Sequence, residues 1–388
     1  MTWWRSGAAE RIHGLLVCLY RHHGGTTAAL PHYPRTLIIV ASLKCVSRAS
    51  RPLRRHRLRG GLLLALLACG AIQAWAQPAA ATWRMATEYP ASAMPGEGLA
   101  SFAEEVKART AGAIEVKPSF DASAGVKSAQ MPAAVKEGRL EGGDAFGGAL
   151  GAVDPLFLLS SLPFVATSVD AAKRLAELAR ADYARAFAAQ GQHLLYATPW
   201  PPTGLWSRNA VATLADLRVL SARTYDETST EVMRAAGAQA TNLSFADAMP
   251  RLKDGSVNAV LSSGDGGAGR KLWDYLPNFT AIGYAMPLSF TTVNAAAYAA
   301  LPPALRASVD AAAQATEQAQ WARLGTRLEE NTTRMRANGV TIQDNPASAV
   351  QQALREAGAG AVMAWRKRVG SERAGVLDAF TRAERAAR

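Results

Sequence analysis

Asp216-Leu217-Arg218-Val219-Leu220-Ser221-Ala222-Arg223-Thr224-Tyr225 runs into a helical pattern over 227–236 that stops at Gly237. The order predicts strand, turn and helix. Leu220 and Ala222 are apolar and short, Arg223 arrives where a strand should end, and Gly237 supplies the left-handed C-cap that glycine adopts most cheaply. In an open α/β sheet the carboxyl ends of the strands face the ligand crevice, so a guanidinium placed there points at whatever is bound. Its planar fork of donors matches a carboxylate in bidentate fashion, which a lysine cannot imitate. Taken alone, Arg223 reads more readily as a surface arginine near a helix start, because arginines are mostly exposed.

Upstream of this stretch, 83–87 reads as a strand with Glu88-Tyr89-Pro90 at its carboxyl end. Leu99, Phe102 and Val106 then share a helical face, 114–117 is a second strand, 128–136 a helix stopped by Gly138, and 140–146 a third strand. This βαβαβ order argues for a parallel sheet with helices on its faces. Gly142-Gly143 and Gly147-Gly148 lack the G-x-G-x-x-G order and a following lysine, so they read as turn glycines rather than a phosphate loop. An amphipathic helix over 170–190 should carry Leu175, Leu178, Tyr183 and Phe187 inward. The strand 193–197 ends in Thr198-Pro199-Trp200-Pro201-Pro202-Thr203-Gly204, a rigid connection that reads as a hinge crossing to a second lobe.

Downstream, 246–252 is a helix, and 257–261 is a strand with Ser262-Ser263-Gly264 at its carboxyl end. The strand 288–294 should return to the first lobe, and the helix over 304–336 should bridge the lobes. The expected organisation is 77–202 as lobe I with 291–330 returning to it, and 203–290 as lobe II closed by 331–388.

The formal net charge of +12 suggests a polyanionic partner until its distribution is read. Residues 1–76 hold eleven Lys and Arg against one acid, Glu10; removing them from 43 basic and 31 acidic residues leaves 32 and 30. A nucleic-acid role loses its support. Within 51–76 an arginine cluster precedes Gly61-Leu62-Leu63-Leu64-Ala65-Leu66-Leu67-Ala68-Cys69 and then Ala74-Trp75-Ala76, the three parts of a secretory signal peptide. The apolar run is too short to span a bilayer, which takes about 20 residues. Leu66-Leu67-Ala68-Cys69 also reads as a lipobox, so a lipid anchor on Cys69 is the alternative processing. Residues 1–50 show no persistent periodicity, as a start codon assigned too early would produce. All three cysteines fall in this leader and His193 is the only histidine after it. Metal clusters and Cys- or His-dependent nucleophiles are therefore nearly excluded, and no cofactor is expected.

From Asp216 onward the chain resembles the solute receptors of tripartite ATP-independent periplasmic (TRAP) transporters, the DctP family, in which a D-L-x-G-L-x-x-R run precedes a helix ending in G-A. Asp216, Leu217, Leu220, Arg223, Gly237 and Ala238 fit; Val219 stands where the family usually has glycine. Leu162-Pro163-Phe164, Tyr196 through Pro202, Ser262-Ser263-Gly264 and Lys271-Leu272-Trp273-Asp274-Tyr275-Leu276 extend the resemblance over nearly all of 82–388. It implies a two-lobed α/β fold of the periplasmic-binding-protein, type II-like kind with a long helix bridging the lobes. It also implies a periplasmic receptor that closes on an organic acid and delivers it to the small and large membrane subunits of a permease. Arg223 takes the role of the family's carboxylate-binding arginine.

Tyr89, Trp200, Trp206, Tyr225 and Phe245 fall at strand ends or helix starts, where the family lines its pocket, although aromatics are as often core. Ser262 and Ser263 can donate to ligand oxygens, and Glu88 can order the hinge or accept a ligand hydroxyl. Trp206 occupies the place of the family's second binding arginine, which points to a monocarboxylate. A secreted lyase-like α/β enzyme and a receptor for an ABC importer or sensor kinase are the competing readings; an enzyme would need an acid or base, and only Glu88 and Asp226 are near the inferred crevice. The leader predicts a mature chain that begins at Gln77 and carries no thiol. Intact mass and Ellman titration of the secreted protein check this, and retention of 51–76 would refute it.

Overall fold

One chain lays down two sheets by crossing between them three times in the computed structural model, which describes residues 81–386. The expected leader, 1–50 and 51–76 with its cleavage site and Cys69, lies outside the described residues. The chain enters with β1 (Ala81–Ala86), α1 (Met94–Arg109), β2 (Ile114–Ser119), α2 (Met131–Lys136) and β3 (Gly142–Phe146), then α3 (Val169–Ala189) and β4 (Gln192–Pro199). Residues 200–202 cross to β5 (Thr203–Ser207), α4 (Leu214–Arg218), β6 (Ser221–Thr224), α5 (Glu227–Ala235), β7 (Gln239–Asn242), α6 (Phe245–Lys253), β8 (Ala259–Ser263), α7 (Gly264–Gly269) and β9 (Asn278–Thr280). Residues 281–287 cross back to β10 (Leu288–Asn294) and α8 (Ala295–Ala299). The long α9 (Pro303–Ala337) then leads to β11 (Thr341–Gln343), α10 (Ser348–Val369) and α11 (Ser371–Ala386).

The first sheet has the order β2-β1-β3-β10-β4 and the second β11-β9-β5-β8-β6-β7. The β1, β2 and β3 pairings are parallel, as the βαβαβ order requires, and β10 inserts antiparallel between β3 and β4. In the second sheet β6 pairs in parallel with β7 and β8, so the carboxyl ends of β6 and β8 lie side by side. Two crossings are tied together: Trp200 N donates to Pro287 O at 2.9 Å, Thr203 N to Ala285 O at 2.8 Å, and Tyr284 N to Thr203 O at 3.0 Å.

The third crossing is α9, 35 residues long, which starts with Pro303 in its first turn, where a missing N–H costs nothing. At ~1.5 Å per residue it reaches about 52 Å. Its buried stripe steps by three and four residues through Val309, Ala313, Thr316, Gln320, Leu324, Arg327, Asn331 and Met335. Val309 belongs to the core between the first sheet and α1, Leu324 to the core on that sheet's other side, and Met335 to the core of the second sheet. At its centre Arg327, 4% exposed, sits 2.7 Å from Asp265 of α7 and 2.9 Å from Glu97 of α1, and donates to Ser92 O at 2.6 Å. Asp265 also accepts from Met94 N at 2.9 Å, so both lobes are pinned to the helix at one point.

Three details depart from expectation. Asp216 and Leu217 belong to a short helix capped by Thr213, and Val219 follows it with φ −92° and 71% exposure, so no glycine is required there. Leu178 is 41% exposed, because the buried stripe of α3 runs through Ala171, Leu175, Ala179, Tyr183 and Ala186 and leaves position 178 at its edge. The assignment of 331–388 to the second lobe stops short of α11. That helix packs on α3, with Leu377 and Phe380 in the core that holds Leu175 and Tyr183.

The helix α7 reads Gly-Asp-Gly-Gly-Ala-Gly, a composition that disfavours helix, and its packing explains it. Trp206 lies flat beneath it: a Cβ on Gly267 would stand 2.2 Å from the indole. Gly267→Ala should gain about 1 kcal/mol of helix propensity and lose about 1–3 kcal/mol to overpacking. Thermal unfolding should show a Tm lowered by a few degrees; an unchanged or raised Tm would refute this packing account.

Candidate functional site

Arg223 ends β6 between two parallel neighbours, and strand register fixes where its side chain goes. Ala222 and Arg223 pair with Ala259 and Val260 on one side and with Ala240 and Thr241 on the other. The guanidinium is 4% exposed; Nε donates to Leu243 O at 2.8 Å and Nη1 to Leu261 O at 3.2 Å. Its carbon sits 4.2 Å from the ring centroid of Phe245, the first residue of α6, which Ser244 caps. Among the described residues no carboxylate forms a salt bridge with it, and Nη2 has no hydrogen-bond partner. Burial lowers its pKa, opposed by Tyr89 and then Glu88, but a guanidinium stays charged. Removing a cation from water without a counterion is costly, so the site is built to be completed by an anion.

The space in front of Arg223 is a cavity of about 30 Å³ whose walls come from both sheets. Tyr89, Phe146, Trp200 and Pro287 approach from the first, and Thr203, Tyr225, Phe245, Ser262 and Ser263 from the second. The aromatics meet edge to face: Tyr89 and Trp200 at 4.7 Å, Phe146 and Tyr225 at 5.3 Å, Phe146 and Trp200 at 6.4 Å. Trp200 is oriented by donating Nε1 to Ser289 Oγ at 3.0 Å. Ser263 caps α7 by accepting from Gly266 N at 3.1 Å. The Tyr225 hydroxyl is buried and, among the described residues, makes no well-formed hydrogen bond, with Thr203 its nearest polar side chain. Room for about two waters remains, so the lobes are closed on the site. Lys127 pairs with Asp247 across the cleft at 2.8 Å; Arg270 pairs with Asp121 and donates to Glu88 O at 2.9 Å.

Seven of the nine residues singled out from the sequence meet here: Arg223, Tyr89, Trp200, Tyr225, Phe245, Ser262 and Ser263. Glu88 does not line the cavity. It is buried behind the wall, where Oε2 accepts from Ser128 N at 2.7 Å. Trp206 is also outside it: alternation along β5 turns its indole under α7, where Nε1 donates to Ser263 O at 3.2 Å and the ring meets Phe279 edge to face. It therefore forms no wall opposite Arg223. Phe146, Thr203 and Pro287 were not singled out. Phe146 ends a strand exactly as Tyr89 and Tyr225 nearly do, and that signal was available; Thr203 lay in the stretch read as hinge, and Pro287 carries no local signal.

A larger space, about 790 Å³, opens between α3 and α9 beside His193. Within it Arg180 pairs with Glu317 at 2.6 Å, and His193 stacks on Tyr298 at 3.8 Å.

A family profile described as bacterial extracellular solute-binding protein, family 7 (DctP), matches residues 85–366, and the chain belongs to that family. Among solved structures it resembles DctP7 of Bordetella pertussis, an extracytoplasmic solute receptor binding pyroglutamic acid. Identity is 30%, the TM-score 0.74, and 77% of this chain and 99% of that one are covered. DctP6 of the same organism, which also binds pyroglutamic acid, is 26% identical with a TM-score of 0.74 over 78% and 99%. A marine metagenome TRAP solute binding protein specific for pyroglutamate is 26% identical, TM-score 0.74, over 78% and 98%. The comparison with curated proteins gives no match. The chain is thus an extracellular solute-binding protein of this family, and no helix among the described residues is long and apolar enough to cross a membrane.

Behind the cavity, Asp144 of β3 is fully buried. It accepts from Thr87 Oγ1 at 2.9 Å through one oxygen and leaves the other unpaired. Burial pushes its carboxyl up to about 7. A carboxyl with a higher pKa folded than unfolded penalises the fold increasingly as pH rises from about 4 to 7, because the unfolded chain releases its proton first. Asp144→Asn should therefore flatten the fall in Tm between pH 5 and pH 8. Parallel Tm profiles for the two proteins would contradict this.

Proposed function

We propose that the protein is the periplasmic receptor of a TRAP transporter, that it closes on a small organic monocarboxylate held by Arg223, and that it delivers this ligand to the small and large subunits of a membrane permease. The observation that carries the reading is the single buried guanidinium facing a cavity with no carboxylate to neutralise it. One cation neutralises one carboxylate; a second, buried without a partner, would have to protonate or stay out. Arg270 does not provide for it, being held by Asp121 and Glu88 O outside the wall. With Trp206 removed from the wall, the monocarboxylate reading rests on this count of charges and on the apolar faces of Phe146, Trp200 and Phe245.

Pyroglutamate, the ligand of three similar receptors, fits the requirement of one carboxylate on a compact neutral body and is the first compound to test. An enzyme is not favoured. Asp226, pushed up to about 6 by burial, could exchange protons near neutrality, but it caps α5 through Ser229 and does not line the cavity.

Calorimetry should show a monocarboxylate, pyroglutamate first, binding more tightly than succinate or malate. Arg223→Ala should cost about 2–4 kcal/mol, because the ligand carboxylate is left buried and unpaired, and Arg223→Lys should recover only part of it. Equal affinity for wild type and Arg223→Ala, or succinate or malate tenfold tighter than every monocarboxylate, would refute the reading.

A further inference from the structure

The cavity provides for a carboxylate and provides nothing for an ammonium. Arg223 is the only charged side chain in its wall among the described residues. Three carboxylates lie near it, and each has one oxygen committed elsewhere, while Asp144 Oδ2 and Asp226 Oδ2 make no hydrogen bond among the described residues. Glu88 Oε2 accepts from Ser128 N at 2.7 Å, Asp144 Oδ1 from Thr87 Oγ1 at 2.9 Å, and Asp226 Oδ1 from Ser229 N at 2.6 Å. The second oxygen of Asp226 faces the glycine turn after β3, 3.1 Å from where a Cβ on Gly148 would stand. None of the three lines the cavity. What the wall offers besides Arg223 is neutral: the Tyr225 hydroxyl and the hydroxyls of Thr203 and Ser262, set among aromatic faces.

An α-amino acid brings its carboxylate and its ammonium within a few ångströms of each other. Docking the carboxylate on Arg223 would bury the ammonium in a small space, near a like charge and with no acid in the wall to pair with it. Each of these conditions disfavours the charged form. The neutral counterpart of the same acid, in which a hydroxyl, a keto group or a lactam replaces the ammonium, meets no such penalty. Its oxygen or N–H can satisfy Tyr225 Oη, whose burial without a well-formed hydrogen bond is itself unfavourable.

Resting on the monocarboxylate reading above, we propose that this site selects by charge count: it admits acids whose only ionic group is one carboxylate and rejects α-amino acids of the same shape. Tyr225 is then the specificity-determining partner of the neutral polar group, and the withdrawal of Asp226 and Glu88 from the wall is what excludes the zwitterion. The shared carboxylate does not discriminate between the two classes; the second substituent does.

Matched pairs test this on the full mature chain at pH 7.5: L-pyroglutamate against L-proline, which share ring and carboxylate, and 2-hydroxy-3-methylbutanoate against L-valine. In every pair where either member binds, the neutral member should bind at least tenfold more tightly. An amino acid within tenfold of its neutral partner would overturn the charge rule while leaving the monocarboxylate reading intact. Failure of all four compounds beside tight binding of a dicarboxylate would overturn that reading and this one with it. As a second measurement, Ser262→Asp places a carboxylate in the wall. If the variant keeps the wild-type circular dichroism, the ratio of neutral to zwitterionic affinity should fall at least tenfold, and an unchanged ratio would show that charge is not the discriminator.

Discussion

A buried guanidinium without a counterion among the described residues is the constraint around which the second sheet is arranged. Arg223 survives at 4% exposure because two carbonyls, Leu243 O and Leu261 O, take two of its donors and an aromatic face lies against it. Those carbonyls belong to the segment after β7 and to β8, so the same parallel pairing that forms the sheet holds the cation. The arrangement fixes orientation without neutralising charge. A salt bridge would have been more comfortable for the isolated protein and would have left nothing with which to attract an anion.

The other wall depends on closure. Tyr89, Phe146 and Trp200 are carried by the first sheet, and they complete the cavity only because the lobes are drawn together by Lys127–Asp247, Arg270–Asp121 and the Arg327 cluster on α9. The outer pairs are exposed to differing degrees and are individually weak in water. Arg327 and Asp265 are both buried, 4% and 1% exposed, and sit where the helix passes from one core to the other. Such a placement suits a pivot, whereas the outer pairs suit contacts that form and break as the cleft closes and opens.

Much of this was legible in the chain. The alternation of apolar runs with glycine stops gave the parallel strands around β1 and β6, and the proline run marked the first crossing. Side chains that end a strand at the crevice could be picked by position, but it takes the family resemblance to single out Arg223, Tyr89 and Tyr225 among them. Trp206 was misplaced because period-two alternation along β5 decides which face it takes, and the face cannot be chosen until Gly267 is seen to make room beneath α7. That helix was itself illegible, since four of its six residues are glycine and only tertiary contact accounts for them. The destination of α11 was hidden for a similar reason: its apolar stripe would suit either lobe, and α3 supplies the matching face.

The position of β10 has a consequence for how the molecule is made. The strand that joins β3 to β4 in the first sheet comes from Leu288–Asn294, after the whole of the second sheet's β5 to β9. A chain emerging from its amino end therefore cannot complete either half: β4 waits for a partner that is synthesised about ninety residues later. Contacts so distant in sequence are slow to form. Neither sheet can therefore be completed before most of the chain is present.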